Sequence, residues 1–166
     1  MGGLIILGIV IHAIKTNPAP FIIVSVTILT VFAIRWRIRY VSTEKRKQVL
    51  FTMGATNPMQ LSPKQYERFC GLLLEKNGWS VQYTKATGDQ GADIIAEKNG
   101  NKIVIQCKQW TNSVGTKAVQ EAHAARAFYS ANSAAVGSTA TYTSGASDLA
   151  RMTGVRLLNH NQLEII

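Results

Sequence analysis

Hydrophobic residues dominate two stretches at the amino-terminal end of the chain. Gly2–Ile14 and Phe21–Ile34 are almost wholly apolar, and the proline-containing segment Thr16–Pro20 separates them. A membrane-spanning helix needs about 20 apolar residues, with a range of roughly 17–25, so each stretch alone is at or below the short end of that range. The pattern favours a transmembrane helical hairpin of two short spans. A single span behind a shallow first segment, and a cleaved signal peptide, are the alternatives.

A basic segment comes after the second apolar stretch. Six basic residues and one acidic residue lie between Arg35 and Lys47. Because the cluster comes after the apolar residues instead of preceding them, it argues against a cleaved signal. It fits the positive-inside rule, which places the rest of the chain on the cytoplasmic side of the inner membrane, although anionic lipid or DNA phosphate could also bind it. We therefore predict a membrane anchor over residues 1–36, in contact with the lipid bilayer through residues 2–34, and a basic juxtamembrane linker over residues 37–60.

Beyond residue 60, segments with apolar residues at helical spacing alternate with segments with apolar residues at strand spacing. Ser62 and Gln65 enclose Pro63 in a capping-box arrangement that opens a helix, and apolar residues follow at helical spacing. The later predicted elements are a strand over residues 79–83, a hairpin over residues 88–110 and an alanine-rich helix over residues 118–129. They are followed by a strand over residues 134–136, a helix over residues 144–152 and a strand over residues 155–158. The order α-β-β-β-α-β-α-β predicts an α/β domain with a mixed central sheet over residues 61–166.

The hairpin over residues 88–110 carries the candidate functional residues. Asn99-Gly100 lies between segments rich in Ile, Val and Ala, which is typical of a two-residue hairpin turn. With that turn, Asp93 faces Gln106, and Lys108 points to the same face as Gln106. Both faces of the hairpin are apolar at mid-strand, as in the centre of a covered sheet. One acid, one amide and one amine therefore converge at one end of an apolar element.

Charge and cysteine usage narrow the function classes. The formal net charge of the chain is +9, which points toward nucleic acid, but from Asn57 onward 11 basic residues oppose 8 acidic residues, a net charge of +3. The case for nucleic acid therefore depends on the hairpin and not on overall charge. Cys70 and Cys107 are too few for a disulfide scaffold and are interpreted as reduced structural thiols. The scattered histidines and the absence of a CxxC motif argue against a zinc site.

These residues resemble a known nuclease family. Asp93, Gln106 and Lys108 match the D…QxK variant of the PD-(D/E)xK pattern. The sequence around them is similar to the catalytic domain of Mrr-type restriction endonucleases from about residue 61 to residue 163. Further residues carry this resemblance: Gly88, Gly91, the run Ile105-Gln106-Cys107-Lys108, the helix Pro63 to Phe69, the segment Thr139 to Thr143, Ala146, Leu149-Ala150, Val155 to Leu158 and Leu163.

The resemblance implies a restriction-endonuclease-like core that hydrolyses phosphodiester bonds in double-stranded DNA with Mg²⁺, or Mn²⁺ in its place. It assigns catalytic roles to Asp93, Gln106, Lys108 and Glu67, and it assigns the metal to Asp93, Glu67, Gln106 and the main-chain carbonyl of Cys107. Gln106 departs from the commoner glutamate, so the metal site leans more on Asp93 and Glu67. Paired cleavage usually needs two active sites, which is compatible with a homodimer.

Several further residues have two interpretations. Asp89 is interpreted as a turn acid in preference to a ligand, and Glu121 as a surface residue. Arg126 is a candidate phosphate contact. Trp110 either lines a DNA groove or packs in the core. The functional alternative is a catalytically inactive nuclease-fold module that binds DNA or a partner protein at the membrane.

Overall fold

The structure is a computed structural model, which describes residue 12, residues 16–84 and residues 90–166. The chain divides into two compact units, Met1–Arg46 and Lys47–Ile166. The first apolar stretch, apart from residue 12, lies outside the described residues, and so do Gly88 and Asp89. The predicted helical hairpin in the membrane and the interpretation of Asp89 therefore stay predictions.

Helix α1, Ala19–Thr56, is a single helix of 38 residues. Within the described parts of the chain, it is the helix that is long and apolar enough to cross a membrane, with a mean hydropathy of 1.9 and no burial of its apolar window. The hydroxyls of Ser25 and Thr27 donate to main-chain carbonyls four residues earlier, at 2.8 Å. These polar groups are thus satisfied inside the helix, as an apolar environment requires. The segment predicted as a linker is helical as far as Thr56.

The second unit is built on a mixed five-stranded sheet in the order β1-β2-β3-β4-β5. The strands are β1 Ser80–Tyr83, β2 Ile94–Lys98, β3 Asn101–Lys108, β4 Ser133–Ser138 and β5 Arg156–Asn159. The first three strands pair antiparallel, and β4 and β5 continue the sheet in parallel. This confirms the predicted mixed sheet, with the apolar strand β3 at its centre.

Three helices cover the sheet: α2 Pro63–Lys76, α3 Thr116–Phe128 and α4 Ser144–Thr153. Short 3-10 helices at Pro58–Gln60 and His160–Glu164 flank the domain. The predicted element order, α-β-β-β-α-β-α-β, is therefore confirmed.

Local chemistry accounts for two of the predicted boundaries. Ser62 and Gln65 form the complete capping box at the start of α2, with side chain and main chain bonded reciprocally. At the hairpin, Asn99 and Gly100 have φ values of +51° and +77°. Positive φ at both turn residues is what a type I′ turn requires, and such a turn matches the twist of the strands on either side. The register then pairs Lys98 with Asn101, as predicted.

The sheet has an apolar cluster on each face. Ile103, Ile105 and Cys107 belong to the cluster under α2, whereas Val104 belongs to the cluster under α3 and α4. Successive side chains of a strand point to opposite faces. The even-numbered residues that come after Val104 on β3 therefore point toward the α3 side, and these include the polar residues at the end of the strand.

Candidate active site

Asp93 is the centre of a short hydrogen-bond network. It directly precedes β2, and its main-chain N–H donates to the carbonyl of Ile105 at 2.9 Å, which keeps it in register with β3. Its Oδ2 atom accepts two hydrogen bonds of 2.6 Å, one from Nε2 of Gln106 and one from the main-chain N–H of Cys107. Hydrogen bonds to a carboxylate are among the strong ones in proteins. The predicted pairing of Asp93 with Gln106 is confirmed at the level of side chains.

Gln106 is almost completely buried, with 6% of its surface exposed. A buried amide needs partners for its polar groups, and Asp93 supplies one. Because the amide nitrogen faces the carboxylate, the amide oxygen points in a different direction and can act as a ligand. A glutamate here would place a second carboxylate at this short distance, and two carboxylates that share a site repel each other. Gln106 thus allows the network to form without a cation.

Lys108 lies at the end of β3 and forms an ion pair with α3. Its Nζ atom is 2.9 Å from Oε2 of Glu121, and the side chains are 18% and 28% exposed. Lys108 therefore points to the α3 face. The sequence predicted only that Lys108 and Gln106 share one face of the strand. The interpretation of Glu121 as a surface residue is wrong, because the fold turns it toward Lys108. Glu121 therefore joins the candidate site, and the sequence alone did not indicate this contact.

Glu67 lies half-buried on α2, which packs against the opposite face of the sheet. A hydrogen bond to Cys70 and burial raise the pKa of the Cys107 thiol well above its usual range, and the negative charges of Asp93 and Glu67 raise it further. The assignment of Glu67 and of the Cys107 carbonyl to a metal site stays a prediction.

The donor set is suited to a hard cation. Asp93 and Glu67 carry carboxylate oxygens, and Gln106 and the main chain of Cys107 carry carbonyl oxygens, which are the ligand types that Mg²⁺ and Ca²⁺ take. In residues 12, 16–84 and 90–166, no group of three or more His, Cys, Asp or Glu side chains is arranged to hold a metal. A cation at this position would therefore rely on amide and main-chain oxygens as well as on carboxylates.

Two other candidates have local structural roles. Trp110 is 49% exposed and is therefore not a core residue. The main-chain N–H of Trp110 donates to the hydroxyl of Thr139 at 3.0 Å, and this hydroxyl donates to the Trp110 carbonyl at 2.7 Å. The backbone of Trp110 is therefore fixed beside the end of β3. Arg126 donates to the carbonyl of Thr153 at 3.3 Å and lies 3.5 Å from Nδ1 of His123. Its predicted contact with phosphate stays a prediction.

Gly91 explains how α3 reaches the site. It has a φ of +85°, and a Cβ atom built on it would lie 2.6 Å from the main-chain oxygen of Glu121. Only glycine allows this backbone conformation together with so close an approach. The segment two residues before Asp93 is therefore packed directly against the backbone of α3.

The chain is similar in sequence to a known restriction enzyme. Among curated proteins, the chain is 31% identical over 116 residues to the type IV methyl-directed restriction enzyme EcoKMrr of Escherichia coli (strain K12). The match covers 64% of this chain and spans 38% of the length of that relative.

Three solved structures are similar at low sequence identity. A protein of unknown function, AF1548, is 20% identical with a TM-score of 0.46, and the match covers 52% of each chain. The DNA modification-dependent restriction endonuclease AspBHI is 16% identical with a TM-score of 0.45, over 73% of this chain and 33% of that one. The MspJI restriction endonuclease in complex with a 27-mer oligonucleotide is 15% identical with a TM-score of 0.43, over 72% of this chain and 30% of that one.

A family model gives the assignment. The model of the restriction endonuclease family with an Mrr-type catalytic domain matches residues 58–165, from the 3-10 helix before α2 to the end of the chain's last 3-10 helix. The matched region contains the hairpin and all the strands of the sheet. The chain therefore belongs to the Mrr-type restriction endonuclease family.

Proposed function

We propose that the protein is a metal-dependent DNA endonuclease that hydrolyses phosphodiester bonds while it is tethered to the membrane. The observation that carries the proposal is the network in which Gln106 and the main chain of Cys107 hold the carboxylate of Asp93. Membership of the restriction endonuclease family supports the same reaction class.

Phosphodiester hydrolysis requires that charge on the phosphate be neutralised, that a water molecule be oriented, and that the leaving oxygen be stabilised. Asp93 and Gln106, with Glu67 and the Cys107 carbonyl, would hold Mg²⁺ or Mn²⁺. The bound ion would supply Lewis-acid stabilisation of the phosphate oxygens. The hydrogen bonds to Oδ2 of Asp93 fix the orientation of its carboxylate in advance, and such preorganisation is the protein's main contribution in sites of this kind.

Lys108 is the cationic side chain of the proposed site, and its charge is present without a bound metal. Its ammonium group carries three N–H donors, which suit a phosphate oxygen or the attacking water. It lies two residues beyond Gln106 on the same face of β3, so both groups act on one side of the strand end. Its role is to orient water or to hold a phosphate oxygen while charge builds up.

The membrane tether rests on α1 and the charges that come after its apolar part. The apolar window of α1 has a mean hydropathy of 1.9 and is unburied, and the basic residues between Arg35 and Lys47 lie beyond it. The positive-inside rule then places the nuclease domain in the cytoplasm, at the inner membrane. Fractionation of cells tests this proposal. The protein should stay in the membrane pellet after an alkaline wash, and release into the soluble fraction would contradict the tether.

A plasmid cleavage assay with a matched pair of lysine variants tests the enzymatic proposal. The full chain in detergent should cut plasmid DNA with Mg²⁺ or Mn²⁺, and EDTA should stop the reaction. Lys108→Ala should reduce cutting to a small residual rate. Lys102→Ala should not, because Lys102 lies on the same strand but pairs with the exposed Glu97 at 3.1 Å.

Two outcomes of that assay would overturn the enzymatic proposal. If the wild type does not cut, or if Lys108→Ala cuts as well as Lys102→Ala, the site is not catalytic. Metal-independent DNA binding without cleavage would then support the alternative, an inactive nuclease-fold module. Dimerisation stays a prediction that the sedimentation of the detergent-solubilised chain would test.

A further inference from the structure

Glu121 has no part in the function proposed above, yet it forms the least exposed ion pair in the described parts of the chain. Its side chain is 28% exposed and that of Lys108 is 18% exposed. In the other ion pairs of these residues at least one side chain is more than 40% exposed, as in Lys47–Glu75 and Glu97–Lys102. Water screens exposed ion pairs strongly, and this screening is weaker at the Lys108–Glu121 pair.

Lys108 needs such a partner if it is to act at a fixed position. A lysine ammonium sits on a flexible four-carbon stem with many accessible rotamers. The bond of 2.9 Å to Glu121 restricts that stem. Because an ammonium group has three donors, this bond fixes its position and still leaves donors for a phosphate oxygen or a water molecule.

The position of Glu121 is in turn fixed by the packing of α3. The close approach of Gly91 to the main-chain oxygen of Glu121 ties the second turn of α3 to the segment that leads to Asp93. Buried residues on the same helix, among them Val119 and Ala122, anchor α3 to the sheet. Helix α3 therefore sets where the ammonium group of Lys108 lies relative to Asp93, although Asp93 precedes β2 and Lys108 ends β3.

We propose that Glu121 is a positioning residue that holds the ammonium group of Lys108 at the Asp93 end of the hairpin, ready to bind a phosphate oxygen of the substrate. The catalytic part of this inference rests on the proposed nuclease function. The ion pair with Lys117 does not account for the position of the Glu121 side chain, because that contact is 3.9 Å long and Lys117 is 87% exposed. Exposed helix pairs with this spacing contribute little to stability.

A labelling experiment tests the positioning without relying on catalysis. The full chain in detergent is treated briefly with acetic anhydride, and the acetylation of Lys108 relative to Lys102 is read by mass spectrometry. Glu121→Gln should raise this ratio several-fold, because the Lys108 amine is no longer held. The matched control Glu97→Gln removes the partner of Lys102 and should lower the ratio. An unchanged ratio in Glu121→Gln would overturn the inference.

A double-mutant cycle tests whether Glu121 acts through Lys108. Misplacing a positioned group can cost about 100-fold in rate, so Glu121→Gln should lower kcat about 10-fold to 100-fold with little change in KM. Glu121→Asp keeps the charge and should retain an intermediate kcat. In a Lys108→Ala background, Glu121→Gln should cause no further loss of residual cleavage.

The possible failures separate the two proposals. If the wild type does not cut DNA, the nuclease function fails, and the acetylation ratio alone decides whether Glu121 holds Lys108. If the wild type cuts and Glu121→Gln cuts equally well at an unchanged unfolding temperature, the positioning role fails while the nuclease function stands. An equal loss with and without Lys108 would indicate a merely structural role and would also overturn the inference.

Discussion

The amide nitrogen of Gln106 lies 2.6 Å from Oδ2 of Asp93, so a neutral residue occupies the position next to the carboxylate where related sites more often place a second acid. We predict that Gln106→Glu destabilises the protein in EDTA, because it replaces a hydrogen bond to a charged group, worth about 1.5–3 kcal/mol, by repulsion between two carboxylates. Divalent metal should reverse much of this loss, because it binds the folded state and offsets both charges. Thermal unfolding with EDTA and with Mg²⁺ measures both effects.

Gln65→Glu is the matched control for this substitution. Gln65 completes the capping box of α2, and glutamate serves in that position equally well. This control should unfold at the wild-type temperature and should gain no more from Mg²⁺ than the wild type does. Equal unfolding temperatures of Gln106→Glu with and without metal would show that Gln106 does not border a cation site.

Gly91 and Gly154 provide a second test, because both have positive φ but different surroundings. Alanine at either position incurs a conformational cost of about 1–2 kcal/mol. At Gly154, the left-handed residue that ends α4, the nearest atom to an added Cβ is the flexible end of Arg126, at 3.7 Å. At Gly91 the nearest atom is the main-chain oxygen of Glu121, at 2.6 Å. Gly91→Ala should therefore lower the unfolding temperature clearly more than Gly154→Ala.

Gly91→Ala should also slow cleavage, because relief of the clash displaces α3 and with it Glu121. Gly154→Ala should cut at close to the wild-type rate after correction for the folded fraction. Equal effects of the two substitutions on unfolding temperature would mean that α3 is not packed against the segment before Asp93.

The hairpin residues could be predicted from sequence because their geometry is set locally. Asn99 and Gly100 determine the turn, the turn determines the register, and the register places Asp93 beside Gln106. The boundary of α2 followed in the same way from Ser62 and Gln65. In each case the residues that determine the geometry are neighbours in sequence or in one strand pair.

The role of Glu121 could not be predicted in this way. Its contact with Lys108 crosses from β3 to a helix on one face of the sheet, and it depends on how α3 is rotated and how closely it packs. Gly91 is part of the family pattern. The structural reason for a glycine there is the close approach of the α3 backbone at Glu121, which no sequence pattern specifies. The choice between the two interpretations of Trp110 could not be made from sequence for a similar reason, because its exposure depends on the course of the chain after β3.

His160 predicts how stability depends on pH. Burial lowers the pKa of His160 below its ordinary value, although a hydrogen bond to the main chain of Ser138 acts in the opposite direction. Its ring packs against Tyr66 and Phe69 at centroid distances of 6.0 and 5.9 Å. An unfolded chain protonates its histidines as pH falls through about 6.5, while the folded protein resists, so His160 contributes stability above that pH and loses it below.

Thermal unfolding between pH 7.5 and 5.5 measures this dependence. The wild type should lose stability as the pH falls, and His160→Gln, which keeps a hydrogen-bond donor, should lose less over the same interval. If both proteins lose equal stability, His160 does not govern the dependence.

The two cysteines should behave as structural thiols. Cys70 and Cys107 are both free and buried, and the pKa of Cys107 is raised by its hydrogen bond to Cys70 and by burial. Thiol reagents attack through the thiolate, so a buried thiol with a raised pKa reacts slowly. A chromogenic disulfide reagent should modify neither residue in the folded protein within minutes and both in denaturant. Rapid modification of the folded protein would contradict their burial.

The central claim is that the Asp93 site cuts DNA, and the nicking of supercoiled plasmid by the full chain with Mg²⁺ tests it most directly. Asp93→Asn removes the charge at the centre of the network, whereas the control Asp148→Asn removes a carboxylate that is 64% exposed and pairs with Arg151 on α4. The wild type and Asp148→Asn should nick at equal rates, and Asp93→Asn should be at least about 100-fold slower at an unfolding temperature that shows it is folded. The absence of nicking by the wild type, or equal rates for the two variants, would contradict the assignment of this site as a nuclease centre.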